Sequence, residues 1–248
     1  MAAVPSVAGR STSLGRNCPA RGHGYRPRMD RWVNNNQQAH WDKRTFYRDA
    51  RDRAAEAFTV PKMEWFCDQL GIGEDASVLD VGAGTGMFTY WWSQRAKTVT
   101  GLELSENMIE RSPVAELMQV GNAYELPFAD DSYDLVFAGN LLHHLDRPVD
   151  ALREMGRVAR TGVAICEPNR NHPPMAAFGV VSSVCRGLLH YSRRTLGQLA
   201  QEAGLHVEGI RLHGYIYENR SPNASVPIAS KLETILPGGA YILLAARP

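Results

Sequence analysis

At 248 residues, with 44% apolar side chains, the chain is long enough to bury a sizeable core in one large domain or two small ones. A net charge of +1 lacks the basic surplus of a phosphate-backbone binder, so no nucleic-acid partner is expected and small-molecule chemistry is favoured. Of the four cysteines, Cys18, Cys67, Cys166 and Cys185, none stands at metal or redox spacing; Cys67 and Cys166 read as buried apolar thiols.

Residues 1–30 are rich in Ala, Ser, Gly, Arg and Pro, with no acid before Asp30 and no apolar run of signal-peptide length. They are expected to form a disordered tail without a catalytic role, with Met29 as an alternative start to Met1, and a cytoplasmic location is expected. Residues 31–248 read as a single domain. Its opening stretch, 31–74, is a helical cover in which Trp41, Phe46, Tyr47, Phe58 and Trp65 form an apolar face along a helix from His40 to Leu70.

The strongest signal follows. Val78-Leu-Asp-Val-Gly-Ala-Gly-Thr-Gly86 is an apolar strand running into a three-glycine turn, and Phe88, Trp91 and Trp92 then recur at helical spacing. Gly82, Gly84 and Gly86 let the backbone turn tightly and approach a ligand where a Cβ would collide. Thr98 to Glu103 reads as a second strand ending in a carboxylate, close to the ~20-residue offset at which an acid receives ribose hydroxyls in nucleotide folds. An adenosine-containing cofactor is therefore expected, and on this pattern alone nicotinamide, flavin and other nucleosides stay open. Two departures argue against a dinucleotide. The spacing is Gly-x-Gly-x-Gly, and Asp80 places negative charge where a pyrophosphate would lie, which suits a cationic centre better.

Gly121 to Phe137 contains a strand-end Gly-Asn-Ala, a Leu-Pro-Phe loop and a further strand; Asn140-Leu-Leu-His-His-Leu145 comes next. A helix opens at Pro148, with Asp146 as its expected cap, and Gly162-Val-Ala-Ile-Cys-Glu167 and Ala240-Tyr-Ile-Leu-Leu-Ala245 are two more strands. With the glycine loop, this series resembles the class I S-adenosylmethionine-dependent methyltransferases, in particular the type 11, ubiquinone-methyltransferase-like group. The resemblance implies a Rossmann-like, doubly wound α/β sheet of about seven strands, mostly parallel with an antiparallel last strand, and helices on both faces. It implies S-adenosyl-L-methionine as cofactor and S-adenosyl-L-homocysteine as product. The implied cofactor site comprises Tyr47, Asp80, Gly82, Ala83, Gly84, Gly86, Glu103, Leu104, Met108, Asn122, Ala123 and Asn140. Asn122 stands where the family more often has Asp, and its amide carbonyl can still accept from the adenine amine.

The same resemblance places the reacting end of the cofactor beside Asn140–Leu145, so His143 and His144 are the candidate general bases, with at most one expected to face the methyl group. Glu167 and His172 are weaker candidates, and Tyr215 and Tyr217 are candidates for orienting an acceptor. Two insertions, 169–191 and 213–239, are expected to form the substrate pocket. The first holds an apolar stretch from Met175, too short to span a bilayer but suited to a lid or to peripheral membrane contact; the second, with Pro222, Pro227 and Pro237, has a loop-like composition. The leading function is methyl transfer to O, C or N of a small aromatic or lipophilic acceptor. Methylation of tRNA or protein, hinted at only by Arg153, Arg157, Arg160, Arg193 and Arg194, and a catalytically silent cofactor-binding module are the alternatives. The acceptor and the oligomeric state stay open.

Overall fold

Aliphatic runs closed by glycine turns form strands buried on both faces, as parallel sheets require. The computed structural model describes residues 47–217, 220–235 and 238–248. The expected tail, Cys18, Trp41, Phe46 and Pro237 lie outside the described residues. In chain order the elements are α1 (Arg53–Leu70), β1 (Ser77–Val81), α2 (Met87–Ser93), β2 (Thr98–Glu103), α3 (Glu106–Glu110), β3 (Met118–Val120), β4 (Tyr133–Gly139), α4 (Pro148–Val158), β5 (Ala159–Pro168), α5 (Pro173–Val181), α6 (Arg193–Glu202), β6 (His206–His213), α7 (Val226–Ile235) and β7 (Tyr241–Arg247).

The strands form one seven-stranded sheet in the order β3-β2-β1-β4-β5-β7-β6. β7 runs antiparallel to both β5 and β6, and the other neighbouring pairs are parallel. The chain winds outward through β1, β2 and β3, then returns to the other side of β1 with β4. That reversal opens a crevice at the carboxyl ends of β1 and β4, where open α/β sheets bind ligands. The expected doubly wound architecture is the observed one.

Each face of the sheet has its own core. Phe58, Phe66, Phe88, Trp92 and Phe137 pack on the α1–α2 side; Leu79, Val136, Leu152, Met155, Leu196 and Leu199 pack on the α4–α6 side. Phe137 is central to the first, its ring centroid 4.5 Å from Phe88, 5.8 Å from Phe66 and 5.9 Å from Trp92. Cys67 and Cys166 are buried thiols in no disulfide, as expected.

Three local expectations are corrected. Residues 47–52 precede the helix instead of belonging to it: Asp49 accepts the Arg51 backbone N–H at 2.9 Å in a tight turn, and the first helical N–H groups are met from afar, Asn223 Oδ1 accepting from Ala54 N at 3.0 Å. Asp146 does not cap α4. The Tyr124 hydroxyl accepts from Asp146 N and Arg147 N at 3.1 and 3.3 Å while donating to the Asp146 carboxylate. The stretch 213–239 is not loop-like throughout, since it contains a 3-10 turn at Asn223–Ser225 and then α7.

Because Phe137 is fully buried between α1, α2 and the sheet, Phe137→Ala should cost about 3–5 kcal/mol of unfolding free energy. Urea denaturation of parent and variant measures it, and a loss below about 1 kcal/mol contradicts the packing described.

Candidate active site

The glycine loop is shaped by its own backbone. Gly82, Gly84 and Gly86 have φ of 71°, 61° and 77°, a region L side chains rarely adopt. Gly82 N and Ala83 N donate to the Leu102 carbonyl at 2.7 and 3.0 Å, which pins the turn to the end of β2. A Cβ at Gly82 would strike the Leu141 side chain, whereas one at Gly84 would meet nothing nearer than Met108 Cε at 3.4 Å. The loop is therefore tight beneath Gly82 and open above Gly84, a cradle with room for a ligand against its backbone.

Glu103 holds this loop from the end of β2. Its Oε2 accepts from Gly84 N at 2.8 Å and its Oε1 from Ser105 N at 3.1 Å. A carboxylate oxygen has two lone pairs, so Glu103 keeps capacity to receive hydroxyl donors while bracing the turn. Asp80, one strand away, is 1% exposed and accepts the Thr89 hydroxyl at 2.7 Å. Burial pushes its carboxyl up to about 7; the Thr89 hydrogen bond works against this, and the neighbouring Glu103 charge adds to it.

The second half of the site follows β4. Asn140 adopts a left-handed φ of 55° and donates its N–H to the Cys166 carbonyl at 2.8 Å, and the chain then closes a 3-10 turn at Leu142–His144. Glu167, at the end of β5 and 0% exposed, accepts the Leu142 N–H through Oε1 at 2.7 Å. Its Oε2 lies 2.7 Å from His143 Nδ1. Burial drives the Glu167 carboxyl up and the His143 imidazole down, so the imidazole is neutral at neutral pH. When Glu167 is ionised, an Nδ1–H donated to its carboxylate leaves Nε2 as the basic nitrogen. His144 stacks on His143 with ring centroids 3.9 Å apart.

Both halves border one cavity of about 490 Å³, within the ~300–1,000 Å³ range of small-molecule sites. Tyr47, Asp80, Gly82, Ala83, Gly84, Glu103, Leu104, Met108, Asn122, Ala123 and Asn140 line it, as do both histidines. Leu104 is 48% exposed. Asn122 Oδ1 already accepts from Tyr124 N at 3.0 Å, so one of its lone pairs is spent on the local turn. Gly86 is absent from the lining: it begins α2, and a Cβ on it would press on Ser112 and Val114. The 3-10 geometry brings both His143 and His144 to the cavity. Of the candidates for orienting an acceptor, Tyr217 lines the cavity and Tyr215 does not; neither of the weaker base candidates, Glu167 and His172, is among the lining residues, and His172 Nδ1 lies 3.4 Å from the Tyr217 hydroxyl.

Lining residues that sequence reasoning missed include Tyr124 and Tyr241, whereas Met175, Phe178, Cys185, Leu188 and Arg220 lie in the two insertions expected to form the pocket but were not singled out. Phe178 carries the Arg220 guanidinium 4.3 Å above its ring. Met175, Phe178, Cys185 and Leu188 come from the first insertion, whose apolar run lacks the periodicity that would have singled them out.

Comparison with known proteins agrees with this geometry. Residues 79–166 match the family model described as a methyltransferase domain. The curated relatives include demethylmenaquinone methyltransferase of Staphylococcus aureus, 34% identical over 118 residues that make up 44% of this chain and 49% of the relative. The chain thus matches about half the length of these curated relatives. Among solved structures, a SAM-dependent methyltransferase from Aquifex aeolicus superposes with a TM-score of 0.56 at 19% identity, covering 79% of this chain and 93% of that one. The cyclase SpnF superposes with a TM-score of 0.52 at 17% identity, covering 74% and 78%. Glycine cradle, strand order and family match together identify residues 79–166 as a methyltransferase domain, set in a sheet whose fold is that of the solved S-adenosylmethionine-dependent methyltransferases.

Proposed function

We propose that the protein transfers a methyl group from S-adenosylmethionine to an atom of a small aromatic or lipophilic acceptor, most readily a phenolic or enolic oxygen. The observation that carries this reading is the meeting of the glycine cradle and His143 on a single cavity, with Glu167 buried behind the imidazole. The backbone of 82–84 with Asp80 and Glu103 would hold the amino acid and ribose parts, and Leu104, Met108, Asn122 and Ala123 would flank the adenine. When bound, the cofactor supplies an electrophilic methyl on a cationic sulfonium.

The chain's own residues then have three tasks. The apolar side chains Met175, Phe178 and Leu188 exclude water and receive an apolar acceptor. His143 Nε2 takes the acceptor proton, and Glu167 fixes the tautomer and stabilises the imidazolium that forms. A buried, low-pKa imidazole is a weak base, which matches an acidic phenol or enol better than an aliphatic alcohol. That the Staphylococcus aureus relatives are demethylmenaquinone methyltransferases supports a quinone-like acceptor. A macromolecular acceptor is disfavoured because the arginines of α4 and its neighbour are neutralised locally, Arg153 by Asp150, Arg157 by Glu154 and Asp130, and Arg160 by Asp134. Among the described residues no helix is long and apolar enough to cross a membrane.

Two measurements test these assignments. His143→Ala should lower kcat by about 10²–10⁴-fold on a phenolic acceptor, with S-adenosylhomocysteine affinity within a few-fold of the parent. Glu167→Gln should lower kcat and displace the pH profile without raising the cofactor Kd. Unchanged turnover in His143→Ala rejects the base assignment.

The second concerns Asp80. Its raised pKa means the folded protein holds a proton near pH 6 that the unfolded chain has released, so stability falls as pH rises from about 4 to about 7. A cationic ligand favours the ionised form, so S-adenosylmethionine binding should release a proton and tighten by up to about tenfold between pH 6 and 7. Calorimetry in buffers of different ionisation enthalpy reads both effects, and Asp80→Asn should abolish the pH dependence. A flat profile in the parent removes Asp80 from the cofactor site.

A further inference from the structure

His143 and His144 lie on the turn after β4, Cys185 on the insertion after β5, and one ligand atom from each falls within 4.8 Å of the others. No sequence spacing announces this cluster, because folding alone brings the two segments together. Three contacts fix it. The Tyr191 hydroxyl donates to the Leu142 carbonyl at 2.9 Å, and Cys185 N donates to Ser182 Oγ at 3.2 Å. Gly187 sits so closely on the His143 carbonyl that a Cβ there would overlap it. The turn carrying Cys185 is thereby fastened to the turn carrying both histidines.

Two imidazoles and a thiol are a donor set that suits zinc and neighbouring borderline-soft cations. Bonds of about 2.0–2.3 Å place tetrahedral ligand atoms about 3.5 Å apart, so closing the cluster around an ion needs side-chain adjustment and no movement of the strands. Glu167 provides an independent pointer. Its carboxylate, 2.7 Å from His143 Nδ1, leaves Nε2 for a metal and forms the outer half of the carboxylate–histidine–metal arrangement that orients ligating imidazoles. We propose that His143, His144 and Cys185 bind a single Zn²⁺-class cation, with Glu167 as the outer partner of His143.

Three protein ligands leave a fourth position on the cavity side. Binding requires the Cys185 thiolate, so one proton leaves the thiol as the metal–sulfur bond forms, and affinity rises with pH. A bound ion takes the nitrogen assigned above to the base, so metal-loaded and base-competent forms exclude each other. The site itself does not rest on methyl transfer, and its test needs no turnover.

Co²⁺ titrated into the chelator-treated full chain should bind at one equivalent, with a near-ultraviolet thiolate-to-cobalt band and the intense visible bands of a tetrahedral ion, and Zn²⁺ should displace it. Cys185→Ser, with unchanged circular dichroism and melting temperature, should lose the thiolate band. Glu167→Gln should weaken binding by about 10–100-fold while keeping that band. No saturable Co²⁺ binding, a spectrum without thiolate character, or a thiolate band that Cys185→Ser leaves intact overturns the proposal.

Discussion

Glu167 is wholly buried at the end of β5, and a carboxyl in that position must find hydrogen-bond partners within the protein. It finds them in the Leu142 N–H and the His143 ring, both on the turn after β4. That turn is further tied to β5 through Asn140 N and the Cys166 carbonyl, at the register where Gly139 faces Cys166. The positive φ of Asn140 is the local cost of turning sharply enough to present Leu142 N–H to the acid. Through the Leu142 carbonyl the same turn receives Tyr191, and through His143 it receives Gly187, so the apolar insertion is anchored by the residues that build the histidine pair. Loss of Glu167's hydrogen bonds would therefore disturb the base, the turn and the cover together.

At the other end of the cavity, electrostatics separate this glycine loop from a phosphate loop. A helix N-terminus ordinarily favours an anion. Here α2 begins beside Asp80 and Glu103, whose charges oppose the field of the helix end. Glu103 is braced by two backbone N–H groups and Asp80 by one hydroxyl, so ionising Asp80 becomes favourable when a cation enters. A pyrophosphate would meet the reverse.

How much was legible in the sequence follows from how local each signal is. β1, β2 and the glycine loop are contiguous runs whose residues are set by their own strand, and their positions were read from Val78 to Glu103 without the rest of the chain. The antiparallel last strand came only through family resemblance, because its direction depends on β5 and β6, not on its own residues. Asp146 was misread as a cap since its carboxylate is taken by the hydroxyl of Tyr124, more than twenty positions away, and the capping position falls on Arg147. α7 was misread as loop because Pro227 was taken as a breaker, whereas at the second helical position it is a starter, the same role Pro173 and Pro174 play in α5. Cys185 was invisible as a partner of the histidines because no spacing rule connects it to them.

The fold does not choose the reaction, since the same strand arrangement serves a cyclase as well as methyltransferases. The choice lies in what borders the mouth of the cavity. Orientation is the main contribution an enzyme can make to a donor that is already activated, worth up to about 7–11 kcal/mol in favourable intramolecular cases. A base held rigidly in one tautomer, under an apolar cover fastened to the same turn, suits that demand. The same desolvation that excludes water also weakens His143 as a base, and the Glu167 carboxylate offsets this only while it is ionised. If His143 is the base, as proposed, the two effects together would favour acceptors whose proton is already acidic, which is the property that a ring hydroxyl has and an aliphatic one lacks.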